Sequence, residues 1–555
     1  MKQKKKSKVT LTLDPISKQI SNSNRKSYSF FTKVINPLYK LSTNTGLQLA
    51  LIVLLPLIIY SHVIHYGFLL DDETIIKDNI ESLSDLHNIS DAFMRDAFFR
   101  EPQTSSYILY RPIQTVSYMI DASISGADPW MYHFTNLILH LFTCIALYYM
   151  LLFFNFSKAT TFLGTLIFSV HPMLAGDVSW IGARGDLLIG FSSILLVLTM
   201  GYYFKTNKPI LYLLHVFIFL ISVFAKETII LFPLLLILYY FISLKHEQKD
   251  KRIIKFIVSW IFISGSYLLV KSVFFQDNVP NSVFGVPAFI KNLDFLPAVI
   301  SKVIIPVSLP LFPLFDSFSV ISGLFFILIS LFISFRLYKR KNWLPLFGLI
   351  WFMLLIIPPM FFRQNHFELL IINLEQRIYL PLIGVAITFC YLISLVLKRN
   401  LMGGIIVIGS IIIIVFSGLA YIHSEAFRDV FRYTQAAIDK NPDNFDAYNY
   451  RATKFYEIHD FPAALENYKK ATEIYPDRNI DFTIAKIKFE TGDYIGSEED
   501  LTLIINSDST TASGYYERGL VKEVKGDTNG AILDWKRAYE HGVEPAGIKL
   551  KKYVR

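Results

Sequence analysis

Apolar residues run along this chain in long blocks separated by short polar breaks. Between about positions 47 and 421 the blocks are about 16 to 22 residues long, close to what a helix needs to cross a hydrocarbon core of roughly 30 Å. They are drawn as 47–66, 133–153, 159–170, 187–204, 210–224, 229–244, 253–274, 320–338, 344–361, 378–397 and 402–422, about eleven spans. From about 424 the blocks stop, and apolar residues recur at helical spacing in a charged background. The fold class expected is all-α. Residues 1–45 form a basic tail, 46–423 a polytopic membrane helix bundle whose first outer loop is 67–131, and 424–555 a separate helical domain.

That last region repeats itself. Pro442 and Pro476 stand 476 − 442 = 34 residues apart, and Ala452, Ala464 and Ala471 lie between them. A period of about 34 with small residues at such offsets is the signature of the tetratricopeptide repeat (TPR), in which two antiparallel helices must approach closely. Gly519, Ala531 and Ala538 repeat the pattern, while the unit between is degenerate. About three repeats result, roughly the minimum for a stacked core. An arbitrary helical bundle would leave the period unexplained.

Composition agrees with the blocks. With 53% hydrophobic residues and a mean hydropathy of +0.42, the chain cannot be one soluble domain. Its net charge of +9 gathers in the N-terminal tail and in short stretches at 245–255, 336–341 and 398–400. Charge so placed reports membrane orientation, and no nucleic-acid partner is inferred. Basic loops set inside, with an odd number of spans, put the N-terminus in the cytoplasm and the C-terminal domain outside. The same path puts 67–131, 171–186, 276–319 and 363–377 on the outer face, as non-helical or semi-polar segments. The proline-spaced run at 304–315 cannot be a plain helix and is read as re-entrant or interfacial; if 299–316 spans, the C-terminal side flips. No cleavage pattern follows an early apolar core at the N-terminus, and Cys144 and Cys390 both lie inside apolar blocks, too few for a disulfide framework or a zinc site.

Ionisable residues near membrane depth are costly, so they mark function or pairing. Asp71 and Asp72 follow the first span on a segment read as non-helical; one could serve as general base while the other bonds the loop, and a helix cap or solvated acid is the plainer alternative. Arg111, with Pro112, opens an interfacial helix. His133, Asn136 and His140 form an i, i+3, i+7 stripe, better suited to interhelical hydrogen bonding than to a metal, since the two histidines lie roughly 10 Å apart along the helix. His171, Asp177, Arg184 and Asp186 cluster at an outer mouth, Lys226 and Glu227 sit between spans without polar neighbours, and Glu375 and Arg377 open a late span. Arg184, Lys226 and Arg377 could clamp a phosphate or diphosphate. Mutual pairing, Asp186 with Arg184 or Glu375 with Arg377, accounts for the same residues equally well. A carboxylate base and cationic clamps in a cavity between lipid and the outer side suit transfer of a sugar from a lipid phosphate to an acceptor hydroxyl.

The segments "LDD", "YRP", "YHFTNLILH", "HP" before "GARGDLL", "AKET" and "EQRIYLP" come in an order that resembles the eukaryotic transmembrane and TPR-containing O-mannosyltransferases, multispanning enzymes of the GT-C class. The resemblance runs from about position 68 to the C-terminus and lies in the ordered set, since no single segment is specific. It implies a GT-C-like bundle, a lipid-phosphate-linked mannose donor, no metal cofactor, and lumenal repeats. It matches Asp71 and Asp72 to the family's paired acids, and Arg184 with Asp186, Lys226 with Glu227 and Glu375 with Arg377 to its other charged elements.

Two departures bear on the substrate. The repeat array is shorter than the family's, and the lysine-rich N-terminus suggests a bacterial protein, hence a polyprenyl-phosphate donor of undecaprenyl type, an inner-membrane location and a periplasmic C-terminal domain. The sugar need not then be mannose. The expectation is an inverting hexosyltransferase acting on Ser/Thr hydroxyls of exported proteins, with the repeats recruiting a protein or peptide acceptor. The alternatives are the same transfer to a glycan or lipid, and a non-catalytic TPR scaffold anchored in the bilayer. A scaffold needs one span and no buried charge, and a transporter would show symmetric halves with mid-membrane breaks.

Overall fold

The computed structural model describes residues 44–99, 109–244, 251–274, 285–307, 309, 311, 316–339, 342–361, 365–366, 369–370, 377–397, 402–508 and 510–553. The described chain is helical almost throughout; its extended pairing is the two-residue ladder of Asn365–His366 with Leu369–Leu370. Seven helices are long and apolar enough to cross a bilayer: Thr45–His65, Trp130–Phe153, Ile181–Thr206, Arg252–Val273, Ser317–Lys339, Leu344–Phe361 and Gly404–Glu425. The protein is therefore a multi-pass membrane protein. Lys158–Ser169 and Pro172–Ser179 make an eighth span only if the two halves, bent by 51°, are one crossing. The bend has a local cause: Pro172 has no amide to continue the ladder, and it forces His171 before it into extended backbone (φ −66°, ψ 123°). Pro209–Ala225, Glu227–Ser243, Phe295–Ile304 and Tyr379–Leu395 are apolar but shorter. Every segment drawn from the sequence as a span thus contains an apolar helix, although fewer than eleven reach full length.

The outer segments differ from expectation. Within 67–131 the expected helix opened by Arg111 and Pro112 is present as Pro112–Ser125, and the stretch before it, expected to be non-helical or semi-polar, holds the short helices Asp71–Ile75, Ile80–Ser84 and Ile89–Met94. Short helical turns satisfy backbone amides that a coil would leave to water, and they let Ile75, Ile76, Leu83 and Ala92 close over Tyr118, Met119 and Ala122 in one small core. Residues 286–304 are likewise helical, as Val286–Lys291 and Phe295–Ile304. The second helix stops where the prolines begin, and its 10 residues rise only about 15 Å, half of what a crossing takes. Half of the proline run, and all of 363–377 except 365–366, 369–370 and Arg377, lies outside the described residues.

Helices of the bundle meet through small residues, as bilayer packing favours. Leu344–Ile356 and Tyr379–Leu397 approach so closely that a Cβ on Gly348 would lie 2.4 Å from the Gly384 carbonyl oxygen, and one on Gly384 equally near that of Gly348.

Beyond the last spanning helix come Val430–Lys440 and then three helix pairs: Phe445–Glu457 with Phe461–Ile474, Arg478–Glu490 with Tyr494–Ser507, and Ala512–Lys525 with Thr528–Glu540. Their first helices begin 478 − 445 = 33 and 512 − 478 = 34 residues apart. Asn444, Asp460, Asp477, Asp493 and Asp527 cap five of these six helices with their side chains, the interaction such residues offer to orphan amides. Ala452, Ala464 and Ala471 are buried between the first pair, and Ala531 and Ala538 in the third. The degenerate middle pair keeps the close approach by a different device. Ser497 stands fully buried opposite Ala485, and its hydroxyl donates to the Ala485 carbonyl at 2.8 Å. These C-terminal helices touch the bundle at the stretch that follows the first span: Leu70 N donates to Tyr450 Oη, on Phe445–Glu457, at 2.8 Å. The two therefore lie at the same end of the bundle.

Candidate functional site

The acidic stretch is held in an unusual backbone. Leu70 has φ 54° and ψ −125°, a region that side-chain-bearing residues rarely enter. That reversal starts the helix Asp71–Ile75 at once, so Asp71 and Asp72 sit in a helical first turn, where the sequence suggested coil. Two carboxylates at a helix N-terminus meet its positive end. They are not equivalent. Asp71 is exposed, whereas Asp72 is 1% exposed and accepts from the Leu69 amide at 3.2 Å. Burial, and next the neighbouring Asp71 charge, push the Asp72 carboxyl well above the ordinary carboxylate range, against the Leu69 and Gly182 amides and Arg184. Trp180 clamps the same turn from across the site, its indole Nε1 donating to the Leu69 carbonyl at 3.0 Å.

Arg184 has a different partner from either one anticipated. It is fully buried and paired with Asp121 on the helix Pro112–Ser125, at 2.5 Å. Its Nε donates to Asn136 Oδ1 at 2.8 Å, Nη2 to the Tyr132 carbonyl at 2.7 Å and Nη1 to Ser117 Oγ at 3.3 Å, and the guanidinium lies 4.6 Å from the centre of the Tyr118 ring. A guanidinium so enclosed and neutralised ties three helices together and has no face left to clamp a phosphate, which corrects the expectation for this residue. Asn136 completes the knot by donating to the Trp180 carbonyl at 3.0 Å.

The other cations gather around Lys226. Its ammonium pairs with Asp186, and Arg111 grips Glu227 through two parallel bonds of 3.0 and 2.7 Å. Burial brings Lys226 down to about 8; Asp186 opposes that, while the nearby charges of Arg377 and Arg111 add to it. Arg377 is thus close to Lys226, and among the described residues its buried Nε has no hydrogen-bond partner. Glu375, its expected partner, lies outside the described residues. Gly185 allows this convergence: a Cβ there would lie 2.6 Å from Gln114 Oε1 and 3.2 Å from Lys226 Cδ.

The three histidines act between helices. His140 Nε2 faces the Ser169 carbonyl at 3.0 Å, which can only accept, so that nitrogen carries the hydrogen and Nδ1 accepts from Tyr379 Oη at 2.9 Å. By the same reasoning His171 Nε2 donates to the Val303 carbonyl at 2.9 Å, fastening Phe295–Ile304 to the bend before Pro172. His133 is buried with its ring edge-on to Tyr66, 6.2 Å between centres. All three members of the His133, Asn136, His140 stripe are buried, as a polar stripe on a spanning helix requires.

Sequence reasoning missed Asp121, Ser117, Gln114 and Trp180. Three had a readable signal: Gln114, Ser117 and Asp121 fall at i, i+3 and i+7 on the helix Pro112–Ser125, the spacing that singled out the histidine stripe. Trp180 had none, since its role depends on a carbonyl 111 residues away.

The chain is similar to three kinds of curated protein O-mannosyl-transferase. It is 30% identical over 142 residues to TMTC2 of Mus musculus (24% of this chain, 16% of the relative), 26% over 159 residues to TMTC1 of Homo sapiens (26% and 18%), and 27% over 167 residues to TMTC3 of Homo sapiens (29% and 17%). The chain thus spans less than a fifth of the length of the relatives it matches. No family profile matches it.

Proposed function

We propose that this protein is an integral-membrane glycosyltransferase that moves a hexose, mannose or a close relative, from a polyprenyl phosphate to Ser/Thr hydroxyls of exported proteins. The observation that carries the reading is one short stretch, 180–186, which holds both halves of the chemistry. Trp180 fixes the turn before Asp71, and six residues on Asp186 fixes Lys226. An acid and a cation cluster are thereby set on one scaffold, as transfer from a lipid phosphate requires. The similarity to O-mannosyl-transferases supports the same chemistry.

Asp71, the accessible acid, is the general base, and Asp72 is the buried support beneath it. The acceptor hydroxyl oxygen attacks the anomeric carbon while Asp71 takes its proton, the bond from that carbon to the phosphate oxygen breaks, and the configuration inverts. Lys226 and Arg377 receive the charge that develops on the departing phosphate, while Arg184 belongs to the scaffold beneath. No metal cofactor is part of this reading. The bundle crosses the membrane eleven times, counting the bent pair and the shorter helices Pro209–Ala225, Glu227–Ser243 and Tyr379–Leu395. An odd number leaves the C-terminal helices, a short TPR domain that recruits the polypeptide acceptor, outside a bacterial inner membrane and on the side of Asp71.

The test is transfer of radiolabelled sugar from polyprenyl-phosphate-mannose to a mixed Ser/Thr peptide pool by detergent-solubilised protein. Asp71→Asn should abolish transfer, Asp72→Asn should reduce it, and Lys226→Met should raise the donor KM. Undiminished transfer by both aspartate variants would remove the mechanism.

A further inference from the structure

The acidic segment is fastened at four points to the chain that leads from the last spanning helix into the C-terminal helices. Tyr66 Oη donates to Glu425 Oε1 at 3.1 Å, and Gly67 N to the Arg428 carbonyl at 3.2 Å, both at the root of the last spanning helix. The other two partners come from further along the chain, on one face of Phe445–Glu457. Leu70 N donates to Tyr450 Oη at 2.8 Å, and Lys454, one turn on, pairs with Glu73 as well as with Glu457 of its own helix. Tyr450 therefore binds the amide of the residue whose backbone is left-handed, and Lys454 holds the first turn that Asp71 opens. A conformation of that kind persists only when its surroundings over-determine it. Here Trp180 supplies one restraint from the bundle, and Tyr450 supplies the opposing one from the C-terminal domain.

We infer that the helix Phe445–Glu457 completes the active site, with Tyr450 and Lys454 as positioning residues that hold Leu70 and so aim Asp71. This rests on the reading of Asp71 as base. It makes the C-terminal domain part of the catalytic geometry as well as a recruiter of acceptor, and it ties the position of that domain to turnover. A tyrosine hydroxyl and a lysine at i and i+4 both face the segment, so neither contact depends on the other surviving.

The experiment joins hydrogen exchange to kinetics on the full chain in detergent. Amide exchange over 66–76 is compared in wild type, Tyr450→Phe, Lys454→Met, Lys454→Arg and the control Tyr456→Phe, whose hydroxyl bonds Glu490 inside the C-terminal domain. Exchange of the segment should rise about fivefold in Tyr450→Phe and Lys454→Met, the loss of one ordinary hydrogen bond, and stay at the wild-type rate in Lys454→Arg and Tyr456→Phe. With polyprenyl-phosphate-mannose as donor, kcat should fall by about the same factor while the donor KM stays put. Unchanged exchange in both variants overturns the inference, as does raised exchange with unaltered kcat. Wild type that transfers no sugar rejects the transferase reading instead, and exchange alone then decides whether the helix holds the segment.

Discussion

Replacing Arg184 by methionine keeps most of the volume and removes the charge. The Asp121 carboxylate, 2% exposed, would then face a buried void without its cation, and Asn136 Oδ1 and the Tyr132 carbonyl would each lose a donor. Breaking a buried pair by removing one partner costs about 3 to 5 kcal/mol, mostly from the charge left behind. The double variant Arg184→Met with Asp121→Leu has no orphan charge, so it should recover part of that loss, a coupling of roughly 2 kcal/mol or more. Thermal unfolding in detergent, followed by size-exclusion fluorescence, gives the order: wild type most stable, the double variant between, Arg184→Met least. Arg184→Lys should fall near Arg184→Met, because an ammonium cannot replace the guanidinium fork that reaches Asn136, Tyr132 and Asp121 together. Two results would refute this account. One is additivity of the two substitutions; the other is wild-type stability of Arg184→Met with a raised donor KM, the outcome a phosphate clamp predicts.

Two further outcomes follow from the geometry. The raised pKa of Asp72 means that the folded state holds a proton the unfolded chain has released, so this carboxyl favours folding at low pH and that contribution is lost as pH climbs from its ordinary 3.8 through the folded value. Asp72→Asn should flatten the fall in melting temperature with rising pH, and parallel profiles would contradict it. Gly384→Ala drives a methyl group against the Gly348 carbonyl, which cannot swing aside as a side chain would, so the variant should lose about 1 to 3 kcal/mol in the same unfolding assay, visible as a lower melting temperature; an unchanged one would mean that the two helices part freely.

How far the fold was legible depended on the range of the signal. Apolar blocks and the 34-residue period act over tens of residues, and both forecast helices that the structure contains. The helices before Arg111 in the first outer loop went unread because they run to only 5 or 6 residues, too short for a hydrophobic period to emerge, and they stand through packing against Tyr118 and Met119. The charged residues singled out fall into separate networks, the acidic turn at Leu69–Asp72, the knot around Arg184 and the group around Lys226, with partners other than those read from the sequence. Adjacent charges invited pairing within a segment, Asp186 with Arg184, whereas the folded chain pairs between segments: Arg184 with Asp121, Asp186 with Lys226, Arg111 with Glu227. The reason is steric. Residues two apart on a helix point to different sides, so Arg184 and Asp186 cannot meet on Ile181–Thr206 and must each find a partner on another element.

That rule also separates the charges by purpose. A salt bridge between elements fixes their geometry only if both members are fully engaged, and Arg184 with Asp121 meets that standard with no exposed surface on the arginine. Around Lys226 the cations crowd together: Lys226 pairs with Asp186 and Arg111 with Glu227, yet the Arg377 and Arg111 charges still lower the Lys226 pKa. Like charges held close in a partly desolvated cluster repel one another, and an anion among them relieves that repulsion. A phosphate would relieve that repulsion and, by its charge, raise the Lys226 pKa from about 8 toward the ordinary range. Inorganic phosphate or a short-chain polyprenyl phosphate should therefore raise the melting temperature of the wild type, more at pH 7 than at pH 9 where Lys226 has lost its proton, and Lys226→Met should abolish most of the gain. Equal stabilisation of wild type and Lys226→Met would place the anion elsewhere.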